Sequence, residues 1–316
     1  MSVFEQTFIK PRALRSGATL AVISPASTPK RELVERGIAE LEAAGYRTRL
    51  GKYAFGGGPL YYAGTWAERL EDIHAAFADD SVDGIICTRG GWGSAELLPH
   101  LNADLIRSNP KAFIGYSDHS SLHCWLQNEA NLTSFYGPMV AADFAREGGV
   151  DPASWRNTFE GASGWSLDSE DGLRVLQPGV ADGRLLGGCI SILAAGLGTP
   201  FAPRLTGSVL FLEDIGTKPY QWDRMLLHLR YSGRLEDVRG IVFGDMTQCA
   251  DLEEQDLLER AILHGLRGFQ GPVAIGLRCG HVDGANRTLP LGVQVQLDLT
   301  DGKNPRLTFL EAAVSG

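Results

Sequence analysis

The sequence has little of what marks the more specialised protein classes. Its five cysteines, Cys87, Cys124, Cys189, Cys249 and Cys279, are odd in number and far apart, and they form no C-x-x-C pair. That excludes a zinc knuckle and a disulfide framework and predicts reduced, buried thiols. Basic charge is short: 29 Lys and Arg stand against 38 Asp and Glu, a formal net charge of −9. A nucleic-acid binder, which must replace counterions around phosphates, is therefore not expected. The most apolar late run, Leu185–Gly198, is too short and glycine-rich to span a bilayer. The opening residues MSVFEQTFIKPRALRSG hold no apolar core of a secretory signal. A cytoplasmic, unanchored protein is expected, with no membrane partner.

What is present is the composition of an ordinary α/β protein: 44% hydrophobic and 21% charged residues, with 39 glycines among 316. This suffices for one large or two medium domains. Thr19–Ser24 (TLAVIS) is a continuous apolar run ending at Pro25, read as a buried parallel strand and its loop. Val34, Ile38, Leu41 and Ala44 recur at spacings of three and four, an amphipathic helix over Arg31–Ala44 closed by Gly45. Tyr46–Leu50 reads as a strand, Tyr53–Thr65 as a loop, Trp66–Ala78 as a helix and Asp83–Thr88 as a strand. The alternation predicts a doubly wound sheet. Periodicity dissolves over 146–178, expected to link an N-terminal unit, 1–145, to a C-terminal one, 179–316. In the latter, helices are expected over Gly187–Leu197, Gln221–Ser232 and Leu252–Gly265. Strands are expected at Ser208–Glu213, Gly240–Asp245, Val273–Leu277, Val293–Leu299 and Pro305–Leu310.

Two loops at the carboxyl ends of successive strands draw the chemistry, where open α/β sheets place their sites. Arg89-Gly90-Gly91-Trp92-Gly93 precedes a helix expected to begin near Ser94. Its glycines let backbone N–H groups approach an anion at the positive helix end, or simply meet a need for positive φ. The loop matches neither G-x-G-x-x-G nor a P-loop. The strand Phe113–Gly115 delivers Ser117 into the turn Gly115-Tyr116-Ser117-Asp118 before a helix, as α/β enzymes project a nucleophilic hydroxyl. Ser117 or Asp118 as a plain helix cap fits the same pattern, and His119 stands where G-x-S-x-G has its second glycine.

A serine nucleophile needs a base and an acid that orients it. Glu213 and Asp214 follow the strand SVLFL, and His281 follows VAIGLRCG at the head of its own loop, giving the order Ser117, Glu213, His281. His119 and His123, four apart on one helix face, have metal-ligand spacing but no third ligand. His74, His228 and His264 fall inside helices, and His100 sits near a helix end.

Four blocks then stand out: Arg89–Leu98 (RGGWGSAELL), Ile114–Asp118 (IGYSD), Leu212–Leu226 (LEDIGTKPYQWDRML) and Gly280–Gly292 (GHVDGANRTLPLG). In content and order they resemble the signature blocks of the L,D-carboxypeptidase family of serine peptidases. That family includes the murein tetrapeptide carboxypeptidases and relatives that inactivate microcin C. The resemblance implies that Ser117 is the nucleophile, Glu213 the acid and His281 the base. It implies a flavodoxin-like, doubly wound N-terminal domain joined to a smaller mixed α/β C-terminal domain that carries Glu213 and His281, with the active site in their cleft. It further implies a cytoplasmic peptidase, a homodimer, that needs no metal or organic cofactor and takes a small peptide ending in a D-amino acid.

On that reading the backbone N–H groups of Gly91 and Asp118 are the expected oxyanion donors, one in the glycine loop and one directly after the nucleophile. The terminal carboxylate would meet the glycine-loop helix start or Arg89, unless Arg89 is a structural ion-pair partner. Trp92 either walls the cleft or packs. The block GHVDGANRTLPLG looks more like the murein tetrapeptide enzymes, which release D-alanine in cell-wall recycling. Two alternatives stay open: a same-fold serine hydrolase cleaving peptidyl- or aminoacyl-nucleotide conjugates of the microcin C kind, and a catalytically silent two-domain binding protein.

Overall fold

Parallel strands need helical crossovers, and the helices cover the sheet faces, so the strands read as unbroken apolar runs. The first half of the chain is built this way. It runs β1 (Thr19–Ile23), α1 (Arg31–Ala43), β2 (Arg47–Leu50), α2 (Trp66–Ala78), β3 (Gly84–Cys87), α3 (Ala103–Ser108), β4 (Ala112–Gly115), α4 (Ser120–Trp125) and β5 (Ser134–Tyr136). The computed structural model describes residues 7–316, the Leu252 side chain excepted. The first six residues of the opening stretch lie outside it. The five strands are parallel, in the flavodoxin-like order β5-β4-β3-β1-β2, and β1, β3, β4 and β5 are buried at every position. α2 starts at a capping box: Glu68 N–H donates to Thr65 Oγ1 at 3.3 Å, and Thr65 N–H to the Glu68 carboxylate at 2.8 Å.

The second half runs α5 (Pro152–Phe159), β6 (Trp165–Leu167), β7 (Arg174–Gln177), β8 (Val180–Cys189), α6 (Ile190–Ala195), β9 (Ser208–Glu213), α7 (Pro219–Tyr231), β10 (Gly240–Gly244), α8 (Gln255–Gly265), β11 (Val273–Leu277), β12 (Leu289–Leu291), β13 (Gln294–Asp298) and β14 (Arg306–Phe309). All its strands but β12 form a mixed sheet, ordered β6-β14-β13-β8-β9-β10-β11-β7. Strands β8 to β11 are parallel and the flanking strands antiparallel.

The structure differs from the sequence expectations at three places. Residues 146–178 are not free linker: they hold α5 together with β6 and β7, which close opposite edges of the second sheet. Elements this short cannot display a period, so their turns dominate the composition. The helix expected over Gly187–Leu197 is confined to Ile190–Ala195, because β8 continues through both glycines to Cys189, which pairs with Glu213. The helix expected near Ser94 is a 3₁₀ stretch, Ser94–His100, with Pro99 inside it. Proline removes a donor and turns the preceding residue away from α geometry.

One strand joins the halves. β12 pairs antiparallel with β5, Leu289 opposite Tyr136 and Leu291 opposite Ser134, so it completes the first sheet rather than the second. A single buried apolar cluster extends from Leu20 and Phe113 through Tyr136 and Leu289 to Leu297 and Phe309. At about 1.5–3 kcal/mol for each fully buried large side chain, that shared core holds the two sheets together.

Candidate active site

β4 ends at Gly115, and the chain turns sharply through Ser117, whose φ is +64°. This left-handed region costs a non-glycine residue roughly 1–3 kcal/mol, so the surroundings must enforce it. Ser117 N–H donates to the Tyr136 phenol oxygen at 3.1 Å, and Ser117 C=O accepts the Ser120 hydroxyl at 2.7 Å. Ser120 Oγ in turn accepts the Cys189 N–H at 2.8 Å, tying the turn to the end of β8. Gly90 presses on the serine itself: a Cβ there would lie 2.9 Å from Ser117 Cβ and 3.0 Å from its Oγ.

The structure brings Ser117, His281 and Glu213 together. His281 Nε2 lies 3.0 Å from Ser117 Oγ, and Nδ1 lies 2.8 Å from Glu213 Oε2, which also accepts the His281 backbone N–H at 3.0 Å. Donation from Nδ1–H to the carboxylate leaves Nε2 as the acceptor facing the serine hydroxyl. Glu213 is 1% exposed and His281 16%. The second Glu213 oxygen accepts the Tyr136 hydroxyl, so both carboxylate oxygens are satisfied. Asp214, the other acid in reach by sequence, is turned away and accepts the N–H groups of Ser191 and Ile215. Burial works to lower the His281 pKa. The charge and hydrogen bond of Glu213, backed by Asp214 and Asp143, outweigh it and raise the imidazole above its ordinary 6.5.

The loop bearing His281 is fixed at both ends. A Cβ at Gly280, whose φ is +91°, would fall 2.5 Å from the Glu213 carboxyl carbon. Only glycine lets the chain pass so close to the acid. Asn286 closes the loop: its Oδ1 accepts the Gly280 N–H at 3.0 Å, while its Nδ2 donates to Gly280 O at 3.0 Å and to the buried Asp143 at 3.2 Å. Thr247 Oγ1 donates to His281 O at 2.6 Å.

Ser117 and His281 open into a cavity of about 340 Å³ whose walls include Lys30, Arg89, Gly91 and Met139. Among the described residues no protein acceptor takes the Gly91 N–H. The space left at Gly90 reaches the Asp118 nitrogen, 3.4 Å from the Cβ position, as well as Ser117 Oγ. The expected anion site at the following helix start does not survive. Asp118 Oδ2 already accepts the Ser94 N–H at 2.8 Å, and the stretch is a short 3₁₀ turn. Arg89 is exposed and, among the described residues, has no ion-pair partner, so the structural-pairing alternative falls away. Trp92 does not line this cavity; it lines a neighbouring apolar one of about 400 Å³ with Leu98, Cys124, Ile192 and Phe201.

Three supporting residues escaped the sequence reading: Tyr136, Asn286 and Arg69. Arg69, 1% exposed, lies beneath the glycine loop and donates to Pro25 O at 2.7 Å, to Gly93 O at 2.8 Å and to Glu96. One available signal was an arginine in four-residue phase with the buried Ile73 and Phe77 on α2. His119 and His123 are a packed pair. Burial drives their pKa values down to about 3 and about 4, and His123 donates from Nε2 to Gly115 O at 2.8 Å while Nδ1 accepts the Ser134 hydroxyl at 2.8 Å. Among the described residues no group of three or more His, Cys, Asp or Glu is placed to hold a metal.

Comparison with known proteins gives consistent matches over the same blocks. Residues 20–137 match the LD-carboxypeptidase N-terminal domain and residues 182–297 the LD-carboxypeptidase C-terminal domain. The chain is 34% identical to a probable murein peptide carboxypeptidase of Bacillus subtilis, over 97% of this chain and 95% of the relative. It is 31% identical to the murein tetrapeptide carboxypeptidase of Pseudomonas aeruginosa, over 88% and 92%. Among solved structures, MccF in complex with glutamyl sulfamoyl guanosine superposes with a TM-score of 0.85 at 25% identity, covering 97% of this chain and 99% of that one.

Proposed function

The chain belongs to the LD-carboxypeptidase family, and from that premise we propose that it is a serine L,D-carboxypeptidase releasing the C-terminal D-alanine of a murein tetrapeptide in cytoplasmic cell-wall recycling. The observation that carries the proposal is the unbroken path from Ser117 Oγ to His281 Nε2 at 3.0 Å and from His281 Nδ1 to Glu213 at 2.8 Å. Neutral His281 takes the Ser117 proton as Oγ attacks the carbonyl of the L-configured residue. The N–H groups of Gly91 and Asp118 receive the developing oxyanion, a task in which losing one donor costs about 10²–10³ in turnover. The imidazolium, held by Glu213, returns the proton to the departing D-alanine nitrogen. Water activated by the same imidazole then hydrolyses the acyl-enzyme. This path needs neither metal nor organic cofactor. The relatives named for murein peptides support the substrate, and five buried free cysteines suit a reducing compartment.

A second reading, hydrolysis of an acyl-nucleotide conjugate by the same triad, is favoured by one observation: the close superposition on MccF bound to glutamyl sulfamoyl guanosine. Mass spectrometry of wild type and Ser117→Ala incubated with L-Ala-D-iGlu-meso-diaminopimelate-D-Ala, and separately with glutamyl sulfamoyl guanosine, tests both. Loss of one D-alanine with wild type alone is the expected result. Cleavage of the conjugate only would transfer the assignment to the second reading, equal cleavage by both proteins would remove Ser117 from the mechanism, and inertness toward both substrates would favour a binding role.

A further inference from the structure

A peptidase that removes a single residue must recognise the free carboxylate of that residue. We propose that Lys30 and Arg89 form a two-cation clamp for this carboxylate and so make the enzyme an exopeptidase; the proposal rests on the L,D-carboxypeptidase reading above. Adjacent residues in a chain are about 3.8 Å apart, so the terminal carboxylate lies within one residue's reach of the carbonyl under attack. Its counter-charge must line the cavity that holds Ser117 and His281.

That cavity contains no Asp or Glu in its walls, and its lysine and arginine are Lys30 and Arg89. Both are exposed, and among the described residues neither has an acidic partner. In a chain with a net charge of −9, two unneutralised cations facing one cavity mark a place for an outside anion. Other sources of positive potential nearby are already committed. The Ser94 N–H is taken by Asp118, and the Arg69 guanidinium by the carbonyls of Pro25 and Gly93 and by Glu96.

The two side chains divide the work by their chemistry. Arg89, in the glycine loop after β3, offers a planar fork that matches both carboxylate oxygens, and Lys30, just ahead of α1, offers a compact point charge. Met139, Ala141 and Ala142 supply the apolar wall beside them, which suits a methyl side chain and gives no partner to a polar one.

The test compares kcat/KM for L-Ala-D-iGlu-meso-diaminopimelate-D-Ala with that for the same peptide ending in D-alaninamide, in wild type, Arg89→Met, Lys30→Met, the double variant and Arg89→Lys. Hydrogen bonds to charged groups are worth about 1.5–3 kcal/mol, so wild type should favour the free acid by about 10- to 100-fold. Each single Met variant should lower that ratio, the double variant should bring it close to one, and Arg89→Lys should keep more of it than Arg89→Met. Because the ratio is internal to each protein, loss of folded material cancels from it. A wild-type ratio near one, or a double variant that keeps the wild-type ratio, would overturn the clamp while leaving the L,D-carboxypeptidase reading intact. Wild type inert toward both peptides would overturn that reading and the clamp with it.

Discussion

The Tyr136 phenol holds Ser117 by its backbone, accepting the serine N–H at 3.1 Å. The same hydroxyl donates to Glu213, so one side chain fixes both ends of the Ser-His-Glu arrangement. Tyr136→Phe leaves the ring in place but strips a buried carboxylate oxygen of its donor and frees the Ser117 turn. Stability should fall by about 1–3 kcal/mol, and kcat for the proposed D-alanine release should fall about tenfold with KM little changed. A KM effect alone would place Tyr136 in substrate binding instead.

Ser117→Gly should be inactive and yet more stable. Release of the left-handed strain gains about 1–3 kcal/mol, against about 0.5–1 kcal/mol for the freedom glycine brings to the unfolded chain. Urea unfolding of the two proteins reads the difference. A variant less stable than wild type would show that the turn is not strained.

The acid limb of the kcat/KM profile should report His281, which as the proposed general base acts only when neutral, at a pKa above the ordinary 6.5. Glu213→Gln removes the main influence raising that value and leaves the burial that lowers it, so the limb should move to lower pH. Turnover should drop by about 10²–10⁴ as the imidazole loses its orienting partner. A limb that stays in place would mean that another group titrates.

Arg69→Met should destabilise the fold by about 2–4 kcal/mol, since it strands the carbonyls of Pro25 and Gly93. It should also lower kcat/KM at least tenfold by unpinning the glycine loop. Arg69→Lys should recover little of either, because an ammonium cannot reproduce the fork. Thermal melts and steady-state rates check both expectations.

The buried pair His119 and His123 predicts acid sensitivity. Their folded values of about 3 and about 4 lie below the unfolded value of about 6.5. Their contribution to stability is therefore complete above pH 6.5 and is lost as pH falls toward the folded values. Each adds a slope of about 1.4 kcal/mol per pH unit in that window. Unfolding free energies at pH 7, 6 and 5 should show it, and His119→Leu should flatten the slope by one such increment. An unchanged slope would assign the acid sensitivity elsewhere.

Much of the first sheet was legible in the sequence because β1, β3 and β4 are buried at every position and so show as apolar runs, and their loops carry glycine, proline or serine at informative places. The positions of Ser117, Glu213 and His281 were legible for a related reason: each stands at or just beyond the carboxyl end of a buried strand. Tyr136 was not, because its role depends on contacts 19 and 77 residues away. Nor were β6, β7 and β12, each three or four residues long and recognisable only by what they pair with. The helix start at Ser94 was not a free anion site, and nothing local to that stretch reveals that Asp118 already accepts its N–H.

The strand exchange through β12 also orders the protein's birth. β5 is an open edge until residues 289–291 arrive to cover it, and an unpaired edge invites pairing with other chains. On the ribosome, the first-made sheet must wait with that edge exposed until nearly the whole chain has been synthesised. The segment that carries His281 to Ser117 runs on directly into the strand that seals the sheet, so assembly of the candidate site and closure of the β5 edge should fall in the same folding step.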